Sequence, residues 1–202
     1  MNIICFETEW LYNHQEKDKR FNLNCRPVLQ CLKDFYGCDF IYRNFLTKDN
    51  LKYYMDYFNK PAFKPKKYPI VYISTHGWNS SIHVEGAQVK KTQNKQVEEE
   101  NRSDIKLSDL AQISPGFFEG RIVHFSSCKT LVKEEDALDF KYETGASYVS
   151  GYKRSVDAMR SVILDMAYFN FLQRYSAKAV ANGVLFKKRY GSLMEDLEFT
   201  IV

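Results

Sequence analysis

A regular alternation of short apolar runs with longer amphipathic stretches is the feature that most constrains the fold of this chain. Short apolar runs bounded by polar or turn residues are typical of buried strands, whereas apolar residues repeating about every 3.6 positions are typical of helices. The alternating order predicts an α/β protein, a three-layer α/β/α sandwich around a mainly parallel sheet of about six strands. We expect a single domain over residues 1–202, with a mobile polar loop at about 88–104.

Local signals place the individual elements. Pro27 favours the first turn of a helix that Gly37 ends, and Thr47 is a typical N-cap for the next helix. The predicted strands cover 2–6, 39–42, 68–75, 121–127, 146–150 and 197–202, with a small hairpin at 81–89. The predicted helices cover 27–36, 48–59, 107–113, 135–142, 155–175 and 177–181. The apolar face predicted for the longest helix consists of Val156, Met159, Ile163, Met166 and Phe169.

Composition and charge exclude several classes of protein. The 29 Lys and Arg against 25 Asp and Glu give a net charge of +4. Because this charge is scattered along the chain, we do not expect nucleic acid as a partner. No apolar run approaches the ~18 residues that a membrane span needs, so no membrane partner is expected. Glu7 and Glu9 interrupt the start of the chain, where a signal peptide would need an apolar core. We therefore expect a cytoplasmic protein.

The cysteines indicate a reducing compartment. There are five of them, an odd number without the dense spacing of a disulfide scaffold: Cys5, Cys25, Cys31, Cys38 and Cys128. They also lack the close pairing of zinc sites, so we expect neither a metal nor another cofactor. Free thiols leave room for one reactive cysteine.

Two of the predicted strands end in reactive side chains. The run 68–75 leads into His76 and Gly77, and the run 121–127 leads into Cys128. Ligand sites in open α/β sheets lie beyond the carboxyl ends of the strands, so parallel neighbouring strands would bring His76 and Cys128 to one edge. A thiol beside an imidazole that can accept or donate its proton is the arrangement of nucleophilic catalysis. The N–H groups of Gly77 and Cys128 are then candidates for an oxyanion hole.

These two segments resemble a family of peptidases. Val71-Tyr-Ile-Ser-Thr-His-Gly77 and Ile122-Val-His-Phe-Ser-Ser-Cys128 are similar to the strand ends that carry the His–Cys dyad of caspase-like (clan CD) cysteine peptidases. The separation of the two residues, 128 − 76 = 52, is close to the ~50 residues of caspases. Residues 140–152 and 156–157 resemble the CHAT-type and separase-like branch, and the likeness is closest to its small single-domain bacterial members.

The resemblance implies a caspase-like fold and a cysteine endopeptidase acting on a protein or peptide substrate. It implies that Cys128 attacks the scissile carbonyl, that His76 handles the protons, and that the Gly77 and Cys128 amides hold the oxyanion. The separase-like pattern further implies that Asp157 binds a basic P1 side chain. If P1 is acidic instead, the same loop offers Lys153 and Arg154.

The sequence also departs from this family. The segment Ser126-Ser-Cys-Lys-Thr130 differs from the Gln-Ala-Cys-Arg-Gly type of true caspases, and eleven residues between Cys128 and Phe140 leave little room for activation by chain cleavage. We therefore expect control by a regulatory protein partner, in a bacterial defence or stress system. The alternative is a catalytically silent interaction module of the same fold, acting as a subunit of a larger complex.

Several polar residues have a structural interpretation beside a functional one. Asp157 also suits the start of a helix, where the helix dipole favours an acid. His124 lies in the middle of an apolar run and is predicted to pack in the core, whereas His14 and His83 are predicted to be solvated. The basic stretch 60–67 is predicted to be a solvated loop rather than a nucleic-acid contact.

Overall fold

A six-stranded sheet is the centre of the fold in the computed structural model, which describes residues 1–8, 24–84, 104–182 and 184–202. The strands are β1 (Ile3–Glu7), β2 (Phe40–Asn44), β3 (Ile70–Ser74), β4 (Ser81–His83), β5 (Asp104–Lys106), β6 (Ile122–Ser126), β7 (Tyr148–Tyr152) and β8 (Phe199–Ile201). The large sheet has the order β2-β1-β3-β6-β7-β8 and is parallel except for β8, which runs antiparallel to β7. β4 and β5 pair with each other in a small antiparallel sheet.

Helices flank this sheet on both faces. They are α1 (Arg26–Tyr36), α2 (Lys48–Phe58), α3 (Leu107–Ile113), α4 (Glu134–Thr144), α5 (Ala158–Arg174), α6 (Ala177–Ala181) and α7 (Val184–Asp196), with a short 3₁₀ turn at Pro61–Phe63. The predicted fold class, a three-layer α/β/α sandwich around a mainly parallel sheet, is confirmed. None of the described helices is both long and apolar enough to span a membrane.

The alternation of side chains along the central strands divides the core into two layers. In β3, Val71 and Ile73 pack with residues of α2, α3 and α4, whereas Ile70 and Tyr72 pack with residues of α1 and α5. Burying each such side chain stabilises the fold by about 1.5–3 kcal/mol. Because β3 is buried on both faces, its sequence is an unbroken apolar run, as expected for a parallel sheet.

Two predicted helix ends are confirmed in detail. Thr47 caps α2 by accepting a hydrogen bond from the Asn50 N–H at 3.1 Å. Gly37 ends α1 in the left-handed conformation, with φ of 63°, which a residue with a side chain rarely adopts.

The predicted apolar face of α5 is confirmed only in part. Phe169 is buried, and Val156 and Met166 pack against the core, as predicted. Met159 and Ile163 are exposed instead, and the buried face includes Leu164 and Asp165. The buried face therefore lies partly beside the predicted one, and its acid, Asp165, bonds to residues of the sheet. The spacing of apolar residues alone does not predict that an acid is buried in a helix.

Three further differences concern the segments after β3 and near the carboxyl terminus. β4 pairs with β5, so the predicted hairpin at 81–89 has its second strand at Asp104–Lys106; residues 85–89 lie outside the described residues. The predicted loop at 88–104 likewise lies outside them, except for Asp104, which begins β5. Helix α7 was not predicted, because Gly191 interrupts an otherwise helical apolar spacing.

Candidate active site

His76 and Cys128 follow neighbouring parallel strands at matching positions. β3 and β6 pair in a register that places Ser74 opposite Ser126, and each candidate residue lies two positions further along its own chain. The Thr75 N–H continues the pairing beyond the strand by donating to the Ser126 carbonyl at 3.4 Å. The two residues therefore emerge at the same edge of the sheet, where α/β proteins bind ligands. This placement agrees with the sequence prediction, and the catalytic roles stay predictions.

Gly77 brings the two strand ends into direct contact. A β-carbon on Gly77 would lie 2.3 Å from Thr130 Oγ1 and 2.6 Å from the Cys128 carbonyl oxygen. Both distances are far below van der Waals contact, so only glycine allows the chain after β3 to pack against the chain after β6. Gly77 is thus required for backbone packing, in addition to the role predicted for its N–H group.

The turn that follows Gly77 is strained and tied to the cysteine loop. Asn79 and Ser80 have φ of 47° and 61°, and Lys129, directly after Cys128, has φ of 53°. Each such conformation costs about 1–3 kcal/mol in a non-glycine residue and persists only when its surroundings enforce it. Here the Ser80 N–H donates to the Lys129 carbonyl at 3.1 Å, and Lys129 Nζ lies 3.9 Å from the centre of the Trp78 ring. Strain of this kind clusters at functional sites.

The sulfur of Cys128 contacts the segment that leads into α5. The Val156 N–H donates to Sγ at 3.4 Å, and the Val156 carbonyl oxygen lies 3.8 Å from the same atom. Cys128 is partly exposed, whereas burial raises the pKa values of Cys5, Cys25 and Cys38. Thiolates are the reactive form of cysteine, so these three buried thiols are poor nucleophiles at neutral pH.

His76 is held in its neutral form. Its side chain is partly buried, and this burial lowers its pKa below the ordinary 6.5; the positive charge of the nearby His83 lowers it further. His83, predicted to be solvated, is half-buried and bonded to Asp104 through Nδ1 at 2.8 Å. A neutral imidazole at pH 7 can accept a proton, which a general base requires.

Two backbone N–H groups lie in the turns that follow β3 and β6. Among the described residues, neither the Gly77 N–H nor the Cys128 N–H donates to a backbone carbonyl. Gly77 pairs with Ile82 in an isolated antiparallel bridge. The hydrogen bonds of this bridge are made by the residues before and after the two partners, so the Gly77 N–H takes no part in them. Both N–H groups lie at the edge of the sheet from which Cys128 emerges.

The three predicted substrate-binding residues lie on the loop between β7 and α5, and all have partners. Asp157 is exposed and caps α5 by accepting from the Arg160 N–H at 3.0 Å, which agrees with its helix-start interpretation. Lys153 Nζ pairs with Glu134 Oε2 at 2.8 Å, and Arg154 Nη1 donates to the Asp196 carbonyl at 3.2 Å. The Arg154 carbonyl also accepts from the Lys129 N–H at 3.1 Å, which joins this loop to the cysteine loop.

A buried polar network lies between β3, β6, β7 and α5. His124 packs in the core, as predicted, and its Nε2 bonds Asp165 Oδ1 at 2.7 Å. Three hydroxyl groups also donate to this carboxylate, those of Tyr72 at 3.0 Å, Ser126 at 2.6 Å and Tyr152 at 2.5 Å. Burial alone would raise the pKa of Asp165, but His124 and the hydroxyl donors outweigh it and lower the pKa.

Sequence reasoning missed Asp165. The only signal was an acid within the apolar stretch Ile163-Leu-Asp-Met-Ala167, in a helix otherwise expected to bury its apolar side chains.

His14, another histidine considered in the sequence, lies outside the described residues. Within those residues, no group of three or more His, Cys, Asp or Glu side chains is arranged to hold a metal ion.

The fold and the site together define a three-layer α/β/α protein with a histidine and a cysteine at the carboxyl edge of its sheet. The chain belongs to a family described as a family of unknown function (DUF6642), which matches residues 1–202. No curated protein matches the chain.

Proposed function

We propose that this protein is a caspase-like cysteine endopeptidase with a His76–Cys128 dyad. The observation that supports the proposal best is the matched register of the two residues beyond β3 and β6. The neutral imidazole of His76, the partly exposed sulfur and the two available amides add the other groups that acyl transfer needs.

The proposed reaction has two steps. The Cys128 sulfur attacks the scissile carbonyl carbon while His76 takes the thiol proton, and the amides of Gly77 and Cys128 stabilise the oxyanion. Collapse of the tetrahedral intermediate breaks the C–N bond, and His76 gives its proton to the leaving amine. Water then attacks the thioester with His76 as general base, which releases the acid and restores the thiol.

The substrate of this reaction is a protein or peptide, and the Asp157 carboxylate favours Arg or Lys at P1. Asp157 is exposed at the start of α5, on the loop whose residue Val156 contacts Cys128. A carboxylate binds a guanidinium through charge-assisted hydrogen bonds and repels an acidic side chain. We further propose a reducing, cytoplasmic compartment, in keeping with free thiols at all five cysteines, and control by a protein partner.

A proteome-wide comparison of new amino termini tests the function whatever the substrate is. Wild-type protein and the Cys128→Ala variant are each added to a bacterial lysate, and the cleavage sites that depend on Cys128 are collected. The proposal predicts a set of sites that only the wild type produces, enriched in Arg or Lys at P1. Identical termini from both proteins, with and without added lysate partners, would favour the catalytically silent module instead.

A further inference from the structure

The Asp165 carboxylate accepts several hydrogen bonds inside the core. Hydrogen bonds are directional and so fix relative positions that apolar contacts leave free to slide. Four donors from β3, β6 and β7 meet the Asp165 carboxylate, so α5 is fixed along its axis relative to these strands.

The segment that leads into α5 contacts the sulfur. The Val156 N–H, just before the Asp157 cap, donates to Cys128 Sγ at 3.4 Å. Ser126, one of the Asp165 donors, lies two residues before Cys128 on β6. Tyr152 Oη lies 2.5 Å from Asp165 Oδ1 and 3.1 Å from the Ser161 carbonyl, and so joins β7 to the first turns of α5.

We propose that Asp165 is a positioning residue for Cys128, which holds the Val156 N–H against the sulfur by fixing α5 to the sheet. Its catalytic meaning rests on the function proposed above, but the contact itself is independent of any substrate. Asp165 is completely buried, so it acts through α5 and touches no substrate.

The Asp165→Asn variant tests this with two readouts that need no substrate. Alkylation of Cys128 by iodoacetamide is followed across neutral pH and divided by the rate at Cys31, which is also partly exposed but lies on α1. Hydrogen exchange of the Val156 amide is followed by NMR in the same samples. We expect faster Val156 exchange and an altered pH profile of alkylation. The Cys128-to-Cys31 ratio should fall by about tenfold to a hundredfold, the usual effect of losing a hydrogen bond to a charged group, here the thiolate.

Two kinds of control keep the proposal falsifiable. Met55→Ala creates a cavity in the opposite core layer, so it destabilises the fold without touching α5 and should leave both readouts unchanged. If Asp165→Asn does not fold, Ser126→Ala and Tyr152→Phe each remove one donor and should change both readouts in the same direction by smaller factors. The proposal is overturned if folded variants of the network keep the wild-type Cys128-to-Cys31 alkylation ratio and the wild-type rate of Val156 exchange. It is also overturned if Met55→Ala changes both readouts as much as these variants do. Failure of the proposed function shows separately, as identical cleavage by wild type and Cys128→Ala.

Discussion

Gly77 illustrates how one missing side chain shapes the site. In Gly77→Ala the new β-carbon would meet Thr130 Oγ1 at 2.3 Å and the Cys128 carbonyl at 2.6 Å, so one of the two loops has to move. We expect a loss of about 1–3 kcal/mol in the free energy of unfolding, the usual effect of overpacking, together with slower alkylation of Cys128. Chemical denaturation and thiol labelling measure the two effects.

Gly191→Ala is the matched control for this change. Its β-carbon would lie 3.5 Å from the nearest atom, in ordinary contact, within α7. Alanine is the better helix former by about 0.5–1 kcal/mol, so this variant should gain stability and leave Cys128 unaffected. Equal stability losses in both variants would contradict the packing account of Gly77.

The neutral form of His76 predicts where activity is lost in acid. Because burial, followed by the charge of His83, lowers its pKa below 6.5, the imidazole stays a base as the pH falls through that value. Cleavage should therefore persist at pH 6.5 and decline only below it. In His83→Asn the acidic limb of the pH–activity profile should shift to higher pH but stay below 6.5, since burial is the larger cause of the lowered His76 pKa. An acidic limb above 6.5 in the wild type contradicts this assignment of the base.

Among the secondary-structure elements, α5 has at its amino terminus a helix cap that can be separated from the proposed P1 contact. Asp157 caps the helix, and asparagine is an equally good cap, so Asp157→Asn should retain stability while Asp157→Ala loses about 1 kcal/mol. If the carboxylate binds a basic P1 side chain, both variants should lose the preference for Arg and Lys over Asp and Leu. A fluorogenic peptide panel together with thermal denaturation measures the two properties. A retained preference in Asp157→Asn would leave Asp157 as a helix cap alone.

The buried acid of the same helix predicts a pH dependence of stability. Because the folded pKa of Asp165 lies below its ordinary 3.8, the stability it contributes is fully present above that value and is lost as the pH falls through the folded pKa. The difference in unfolding free energy between wild type and Asp165→Asn should therefore shrink as the pH falls below 3.8. Denaturant titrations at a series of pH values measure it, and a constant difference would contradict the account.

The elements also show what sequence reasoning can and cannot reach. The ends of β3 and β6 were predictable because a buried parallel strand is an apolar run, and the residue after such a run marks the edge of the sheet. The face of α5 was predicted only in part, because apolar periodicity counts the exposed Met159 and Ile163 as core and does not reveal that Asp165 is buried. In α7, the spacing of Phe186, Tyr190 and Leu193 was a usable helical signal that Gly191 weakened.

At the scale of the whole molecule, the strand order determines which residues can meet. β3 and β6 lie at the centre of the sheet although 47 residues (74 to 122) separate them in the chain, with β4, β5 and α3 between them. The alternating pattern of the sequence predicted the layers of the sandwich but not this order. The catalytic hypothesis required these two strands to be neighbours. Pairing between residues far apart in the chain determines whether they are.

In the proposed function, His76 and Cys128 act together as a peptidase dyad. Its most direct test is covalent trapping by an electrophilic peptide with Arg at P1, with the modified residue mapped by mass spectrometry in wild type, His76→Ala and Cys128→Ala. The account predicts labelling of Cys128 in the wild type, at least ~10²-fold slower labelling in His76→Ala, as for a lost acid–base group, and none at the remaining cysteines of Cys128→Ala. Equal labelling of Cys128 with and without His76 would contradict it.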